Sequence, residues 1–419
     1  MKKLLLGLFA AAFAVSIIGC SNSSGGDSPA ETTTPVTPAE PPYVAQETPL
    51  TLEAIAAGTI TLTNPWSTLK YKKNGGDFVN VTASANTIAV AAGDKVAFYA
   101  DGSENTYTCD SSTNMITVTA LRISCSSDCY VYGNVMSLLS SSNFKNAVSI
   151  SKEYAFAELF YENTHIKNHA QKALVLPATT LADSCYYSMF QGCTGLTSAP
   201  ALPATTLADY CYFLMFQGCT GLTSAPALPA TTLADYCYNS MFDGCTGLTS
   251  APALPATTLA DSCYSSMFYG CTGLASAPAL PATTLADYCY SFMFKGCTSL
   301  TSAPALPATT LTSGCYASMF YGCTSLTSAP ALPATTLVEW CYDSMFYGCT
   351  SLSSVTCLAT NNSADSCTVN WLGGVASSGT FTKAASMTTR NINTSGTAWI
   401  LNSSSGIPSG WTVVDYQEQ

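Results

Sequence analysis

Cysteine is the residue type in this chain with the clearest capacity for chemistry. The 419 residues include 20 cysteines, and fourteen of these recur as pairs eight residues apart, once in every 26 residues. On a helix, that spacing separates the two members of a pair by about 12 Å, which is too far for a disulfide. Bridges between pairs would need one particular stagger, so we interpret these cysteines as reduced, buried apolar side chains. The pairs are Cys185 and Cys193, Cys211 and Cys219, Cys237 and Cys245, Cys263 and Cys271, Cys289 and Cys297, Cys315 and Cys323, and Cys341 and Cys349.

Cys109, Cys125 and Cys129 lie outside these pairs. They are better disulfide candidates in an exported protein, since disulfides persist in oxidising compartments. Their spacing does not determine which two would pair.

The two histidines, His165 and His169, are spaced to share one face of a helix. Two histidines at this spacing can bind zinc, but the glutamate of a zinc protease is absent and no third ligand is evident. We interpret the pair as part of a solvated capping segment. The acidic residues are mostly isolated, and no Ser/His/Asp or Cys/His constellation can be assembled. The sequence therefore predicts no enzyme, no metal site and no cofactor.

The element that must position the cysteines is a 26-residue unit, present in seven near-identical copies over residues 176–357. One unit cannot bury its own apolar face, so a fixed period of this length indicates a solenoid in which units stack on their neighbours.

Within the third unit, the segment 235–245 has the pattern of a short amphipathic helix. Asp235 is a good N-cap, and Gly244 suits the left-handed residue that ends a helix. Farther along, Thr257-Thr258-Leu259 favours a strand, whereas Pro252 removes a ladder donor from a second strand. We therefore predict an α/β solenoid of short parallel strands and short helices. The inward residues of the helix are Cys237, Tyr238, Met241, Phe242 and Cys245, which fall within about 140° of arc.

Aromatic residues are frequent at the positions that vary between copies. Tyrosine and tryptophan are typical of interfaces, and exposed apolar patches often mark binding sites. The alternative is that these residues decorate a packed convex surface, partly covered by neighbouring copies. The candidate binding residues are Tyr187, Phe213, Tyr269, Phe292, Tyr321, Trp340 and Tyr347.

The first residues predict export and attachment to a membrane. Residues 1–19 read as a signal peptide, with Lys2 and Lys3 before an apolar run. The ending Ile17-Ile18-Gly19-Cys20 resembles a bacterial lipobox, which implies lipidation of Cys20 and sorting to the outer membrane; the alternative is ordinary secretion after Gly19. Several acyl chains would anchor the protein stably. Residues 20–49, rich in Ser, Thr and Pro, form a tether.

Residues 50–127 change to short alternating apolar runs separated by Gly-containing turns, which predict a small antiparallel β-sandwich. Residues 128–175 form an N-terminal cap with a divergent repeat, in which Phe160 corresponds to Phe190 and Ile166 to Leu196. Residues 358–419 form a degraded repeat, with Trp371 in the Met345 place, and a C-terminal cap.

Charge is sparse, with a net charge of −11. Residues 176–357 contain one basic residue, Lys295, against eight acidic residues, a net charge of −7. No basic patch is present to bind phosphates, so nucleic acid is excluded as a partner.

The unit Leu-Pro-Ala-Thr-Thr-Leu-Ala followed by Cys-Tyr-x-x-Met-Phe-x-Gly-Cys-Thr resembles the BspA-like leucine-rich repeats of bacterial surface lipoproteins, over roughly residues 150–375. Those repeats usually have 23 residues and Ala-Phe in place of Met-Phe, so this is a longer, Cys-rich variant.

The resemblance implies a leucine-rich-repeat solenoid of about eight to nine units on the cell surface. It also implies adhesion to a protein or glycan ligand outside the cell, such as a host matrix protein, other cells or an envelope component. No ligand-binding residue carries over from the family. Two alternatives stay open: a structural or self-associating envelope stalk, and glycan binding by residues 50–127.

Overall fold

The repeats stack as successive layers, each hydrogen-bonded through its backbone to the next. In this computed structural model the described residues are 43–110, 115–390 and 398–417, without the side chains of 109, 110, 115, 116 and 390. The stacking is direct: Tyr238 N donates to Cys263 O and Phe242 N to Met267 O, both at 3.0 Å. The predicted signal peptide, Cys20 and most of the tether lie outside the described residues.

The helix predicted for each repeat is wrong; the segment is a run of overlapping turns. Alternate backbone amides bond within the layer, as when Met241 N donates to Tyr238 O at 3.2 Å. The intervening amides donate to the next repeat, as when Ser240 N bonds Ser265 O at 2.9 Å. An α-helix would direct every amide back along its own chain. Among the described residues the only helices are two 3₁₀ segments, Val135–Leu138 and Phe144–Asn146.

Every fourth residue of the turn segment has a left-handed backbone. In the third repeat φ is 57° at Tyr236, 53° at Ser240 and 69° at Gly244. A positive φ at the third position is the requirement of a type II turn. For residues with a side chain this conformation costs about 1–2 kcal/mol, a cost offset by the hydrogen bonds to the next layer.

The core consists of columns of identical side chains that run along the stack. Tyr238 lies 5.8 Å, between ring centroids, from Tyr264, with 1° between the ring planes. Phe242 stacks on Phe268 at 5.7 Å. All four rings are at most 1% exposed. Offset stacking of aromatic rings adds to the free energy of burial, so each column stabilises contacts between neighbouring layers.

The second half of each repeat contains fewer strands than predicted. Instead of two strands per unit, neighbouring layers make isolated parallel bridges such as Ser198 with Ser224 and Thr206 with Thr232. The two prolines of each Ala-Pro-Ala-Leu-Pro segment remove ladder donors, which explains the loss. Where Thr356 replaces the proline, a true strand forms over Ser354–Cys357.

Ten strands lie in the described part of the N-terminal β region: β1 Thr51–Ala54, β2 Gly58–Thr63, β3 Lys70–Lys73, β4 Phe78–Asn80, β5 Thr87–Val90, β6 Lys95–Tyr99, β7 Thr106–Asp110, β8 Met115–Thr119, β9 Arg122–Cys125 and β10 Cys129–Asn134. Two further strands, β11 Ile166–Asn168 and β12 Leu174–Val175, both pair with β10. One sheet has the order β11-β10-β1-β6-β3-β4, and a second sheet has the order β5-β2-β9. Leu52, Phe98 and Ile123 are completely buried.

The stack begins on this β region. β11 and β12 pair in parallel with β10, and Phe160 stacks on Phe190 at 5.6 Å. At the other end Trp371 stacks on Tyr342 at 6.1 Å and on Trp399 at 5.2 Å. The remaining strands are β13 Ser354–Cys357, β14 Gly379–Lys383, β15 Thr389–Arg390, β16 Trp399–Ile400 and β17 Trp411–Asp415. No helix in the described part of the chain is long and apolar enough to cross a membrane.

Candidate binding surface

Outward-facing aromatic side chains gather around the single lysine of the repeats. The Nζ of Lys295 lies 5.4 Å from the ring centroid of Tyr269, 5.1 Å from that of Phe292 and 4.6 Å from that of Tyr321. Tyr347 stacks on Tyr321 at 4.9 Å. We call these five residues the lysine–aromatic patch.

The patch is both apolar and accessible. Tyr269 and Tyr347 are each 38% exposed, and Phe292 is 37% exposed. Tyr321 and Tyr347 lie face to face along the stack, so each ring covers one face of the other. A cation among aromatic rings is held by their quadrupoles, so Lys295 is positioned by the same contacts.

The structure divides the seven predicted aromatic residues into three groups. Tyr269, Phe292, Tyr321 and Tyr347 belong to the patch. Tyr187 and Phe213 are half-buried and stack on each other at 5.3 Å near the N-terminal end. Trp340, 39% exposed, occupies a different position in the repeat.

Sequence reasoning did not single out Lys295 or the exposed Tyr288 as candidate binding residues. Lys295 lies 26 residues from both Tyr269 and Tyr321, so the period alone placed it in their column. Tyr288, 37% exposed, lies two repeats before Trp340 in the same column. The ring of Tyr288 fills the space where a side chain at Gly314 would project. A Cβ atom added to Gly314 would lie 2.4 Å from the nearest carbon of that ring.

The column that contains Tyr269, Lys295 and Tyr321 is polar in the first three repeats. Gln191 Nε2 donates to Gln217 Oε1 at 2.7 Å, and Gln217 Nε2 donates to Asp243 Oδ2 at 2.6 Å. Burial raises the pKa of Asp243, while the hydrogen bond from Gln217 opposes that shift. The outer surface therefore changes from an amide ladder to an aromatic patch along the stack.

The predicted N-cap role of Asp235 is replaced by a contact between layers. Asp235 Oδ1 accepts a hydrogen bond from Asp261 N at 3.0 Å, so its side chain satisfies an amide of the next repeat. The same contact recurs from Asp183 to Asp287, which gives a row of exposed carboxylates.

The repeat cysteines are free thiols with no exposed surface. Cys245 Sγ donates to Phe216 O of the preceding layer at 3.1 Å. Burial raises the pKa of Cys297 to about 12, so it stays protonated. These thiols therefore act as packing groups, and the second cysteine of each pair also donates a hydrogen bond to the preceding layer.

The histidines flank strand β11 rather than sharing a helix. His165 Nδ1 lies 3.0 Å from Asp128 Oδ1, and His169 Nδ1 accepts from the amides of Gln171 and Lys172 at 3.0 and 3.1 Å. Within the described residues, no three His, Cys, Asp or Glu side chains are grouped to hold a metal ion.

A family model for the BspA type leucine rich repeat region matches residues 266–370 in six copies. This match supports a BspA-like leucine-rich repeat family for the stacked, Cys-spaced repeats, a family whose members are commonly surface-exposed adhesion proteins of bacteria. No curated protein and no solved structure matches the chain.

Proposed function

We propose that this chain is a bacterial cell-surface lipoprotein whose stacked repeats form a solenoid that binds a macromolecule outside the cell. The role is binding rather than catalysis, and the partner is a protein or a glycan. The anchor is Cys20, whose acyl chains hold the protein on the outer membrane while residues 21–49 act as a tether.

The observation that supports binding through the repeats is the lysine–aromatic patch. Side chains that face the core are nearly invariant between copies, whereas the outward columns vary and concentrate exposed aromatics between Tyr269 and Tyr347. Exposed aromatic rings with a single cation offer contact area at little desolvation cost. This is a surface suited to a partner of low charge.

Binding is tested with the full chain, because the β region and the repeats belong to one compact unit. The test variant is Tyr269→Gln, Tyr321→Gln and Tyr347→Gln together, since glutamine already occupies this column at Gln191 and Gln217. The probes are immobilised purified extracellular-matrix proteins and envelope polysaccharide.

We expect the triple variant to lose about tenfold or more in affinity, as hot-spot residues do. The matched control, Phe213→Asn, takes the residue found at Asn239 and should bind like the parent. Equal binding by the triple variant and the parent would contradict the proposed surface. Self-association of the parent without binding to any probe would favour the structural stalk.

Anchoring is tested separately by Cys20→Ser. We expect this variant to lose lipid labelling and to leave the membrane fraction or remain unprocessed. Unchanged labelling and fractionation would contradict the anchor without affecting the binding proposal.

A further inference from the structure

Cys125 and Cys129 lie where the two sheets of the β region meet. Cys125 is the last residue of β9 and Cys129 is the first residue of β10. β9 pairs with β2, whereas β10 pairs with β1 in the other sheet. Three residues, 126–128, connect the two strands, so Cys125 and Cys129 are close in sequence. Each cysteine is held in place by the hydrogen bonds between its strand and the neighbouring strand.

The two sulfurs are brought together by this arrangement. The side chains of Cys125 and Cys129 interact with each other, and Cys129 Sγ donates a hydrogen bond to Ser127 O at 3.5 Å. Asn163 Nδ2, from the divergent first repeat, donates to Cys125 Sγ at 3.6 Å. The interaction between the two side chains lowers the pKa of Cys125 and raises the pKa of Cys129, so Cys125 more readily forms the thiolate, the nucleophile of disulfide exchange.

Access distinguishes Cys125, but not Cys129, which is 1% exposed, from the repeat cysteines. Cys125 is 8% exposed beside a surface loop, whereas the fourteen repeat cysteines are 0% exposed. The second cysteine of each pair already donates to a phenylalanine carbonyl of the preceding repeat unit, as Cys245 does. We therefore expect an oxidant in solution to react with Cys125 before it reacts with any repeat cysteine.

We propose that Cys125 and Cys129 form a redox pair that closes to a disulfide under oxidising conditions. The Cys125 thiolate attacks one sulfur of a disulfide-bearing reagent or oxidoreductase and releases that partner's first thiolate. Cys129 then loses its proton, attacks Cys125 Sγ and releases the second thiolate. Two thiols become one disulfide, and two electrons and two protons reduce the partner to its dithiol form.

The disulfide would lock the joint between the β region and the repeats. The loop closed by the pair carries Asp128, whose side chain contacts His165 at 3.0 Å and whose carbonyl accepts from Ile55 N at 2.8 Å. Cys129 N donates to His165 O at 2.9 Å. Opening the disulfide should therefore loosen the attachment of β11, the first strand of the stack.

The test incubates the purified full chain with oxidised glutathione, blocks the remaining thiols by alkylation and maps the peptides without reduction. We expect a Cys125–Cys129 disulfide, with the repeat cysteines alkylated only after unfolding. Cys129→Ser should leave Cys125 without an intramolecular bridge, whereas Cys237→Ser, in the buried column, should leave the Cys125–Cys129 bridge intact.

Hydrogen exchange provides a second readout on the folded chain. The amides of Ile166–Asn168 should exchange several times faster after reduction, and those of the central repeats should not change. Recovery of Cys125 and Cys129 as alkylated thiols after oxidation, or of Cys125 bridged to Cys109, would overturn the proposal. Because the oxidation is done in solution, its outcome does not depend on the proposed export.

Discussion

Each repeat has a turn half, such as residues 235–245, and a proline half, such as residues 250–255, and the two halves contact the neighbouring layers in different ways. In the turn half, alternate amides such as those of Tyr238 and Phe242 donate to the next layer, and the aromatic columns stack beneath them. In the proline half, adjacent layers are joined by isolated β-bridges. Among the described residues, the backbone amides of Ala251 and Ala253 make no hydrogen bond. The difference indicates that the turn half carries most of the cohesion of the stack.

The largest expected effect comes from breaking the turn half. Phe242→Ala removes a ring that is completely buried and stacks on Phe216 at 5.8 Å and on Phe268 at 5.7 Å. We expect a loss of about 3–5 kcal/mol in the free energy of unfolding, measured by chemical denaturation. Pro255→Ala, on the exposed proline half, is the control and should cost less than about 1 kcal/mol. Equal losses would remove the distinction between the two halves.

Amide hydrogen exchange should separate the halves without any substitution. The amides of Tyr238, Ser240 and Phe242 should exchange about 100-fold or more slowly than those of Ala251 and Ala253, because protection follows hydrogen bonding and burial. The strand Ser354–Cys357 should be protected although it occupies the proline position. Rapid exchange in that strand would show that proline is not the cause of the difference.

The left-handed positions offer a test of intermediate size. The ideal Cβ at Gly244 would lie 3.8 Å from Gly218 Cα, so a side chain fits, but φ is 69°. Gly244→Ala should therefore cost about 1–2 kcal/mol through the backbone alone. Gly244→Asn should cost less, because asparagine adopts this conformation more readily. A larger loss for asparagine would point to crowding instead of backbone conformation.

The smallest expected effect concerns Asp243 and is pH-dependent. Burial raises its pKa in the folded state, so the folded chain binds the proton more tightly than the unfolded chain. The resulting stability is present below the unfolded pKa and is lost as pH rises through the folded pKa.

Asp243→Asn keeps an acceptor for Gln217 without the charge. It should raise stability at neutral pH by no more than about 1 kcal/mol, and the gain should disappear in acid. A gain that persists unchanged in acid would assign the effect to packing. Gln217→Ala is the companion variant, since it removes the hydrogen bond but leaves the carboxylate.

Sequence reasoning identified which side chains face the core, but it assigned the wrong backbone to them. Cys237, Tyr238, Met241, Phe242 and Cys245 are all buried, as the helical wheel indicated. Two buried residues followed by two outward ones repeat every four residues, a pattern that a short helix and a run of four-residue turns share. The candidate site was predictable to the same extent: four of the seven aromatics meet in one patch, but the central Lys295 was not recognised.

The sequence by itself determined the 26-residue period, the family of the repeat and the residues that face the core, because identical copies reveal where packing tolerates no change. Only the tertiary structure decided the path of the backbone. Whether the amide of Ser240 bonds back along its own chain or across to Ser265 depends on a neighbouring layer that lies 25 residues away in sequence. The conformational propensity of a short segment does not depend on that hydrogen-bond acceptor, whereas stacking of the repeats supplies such an acceptor to each copy.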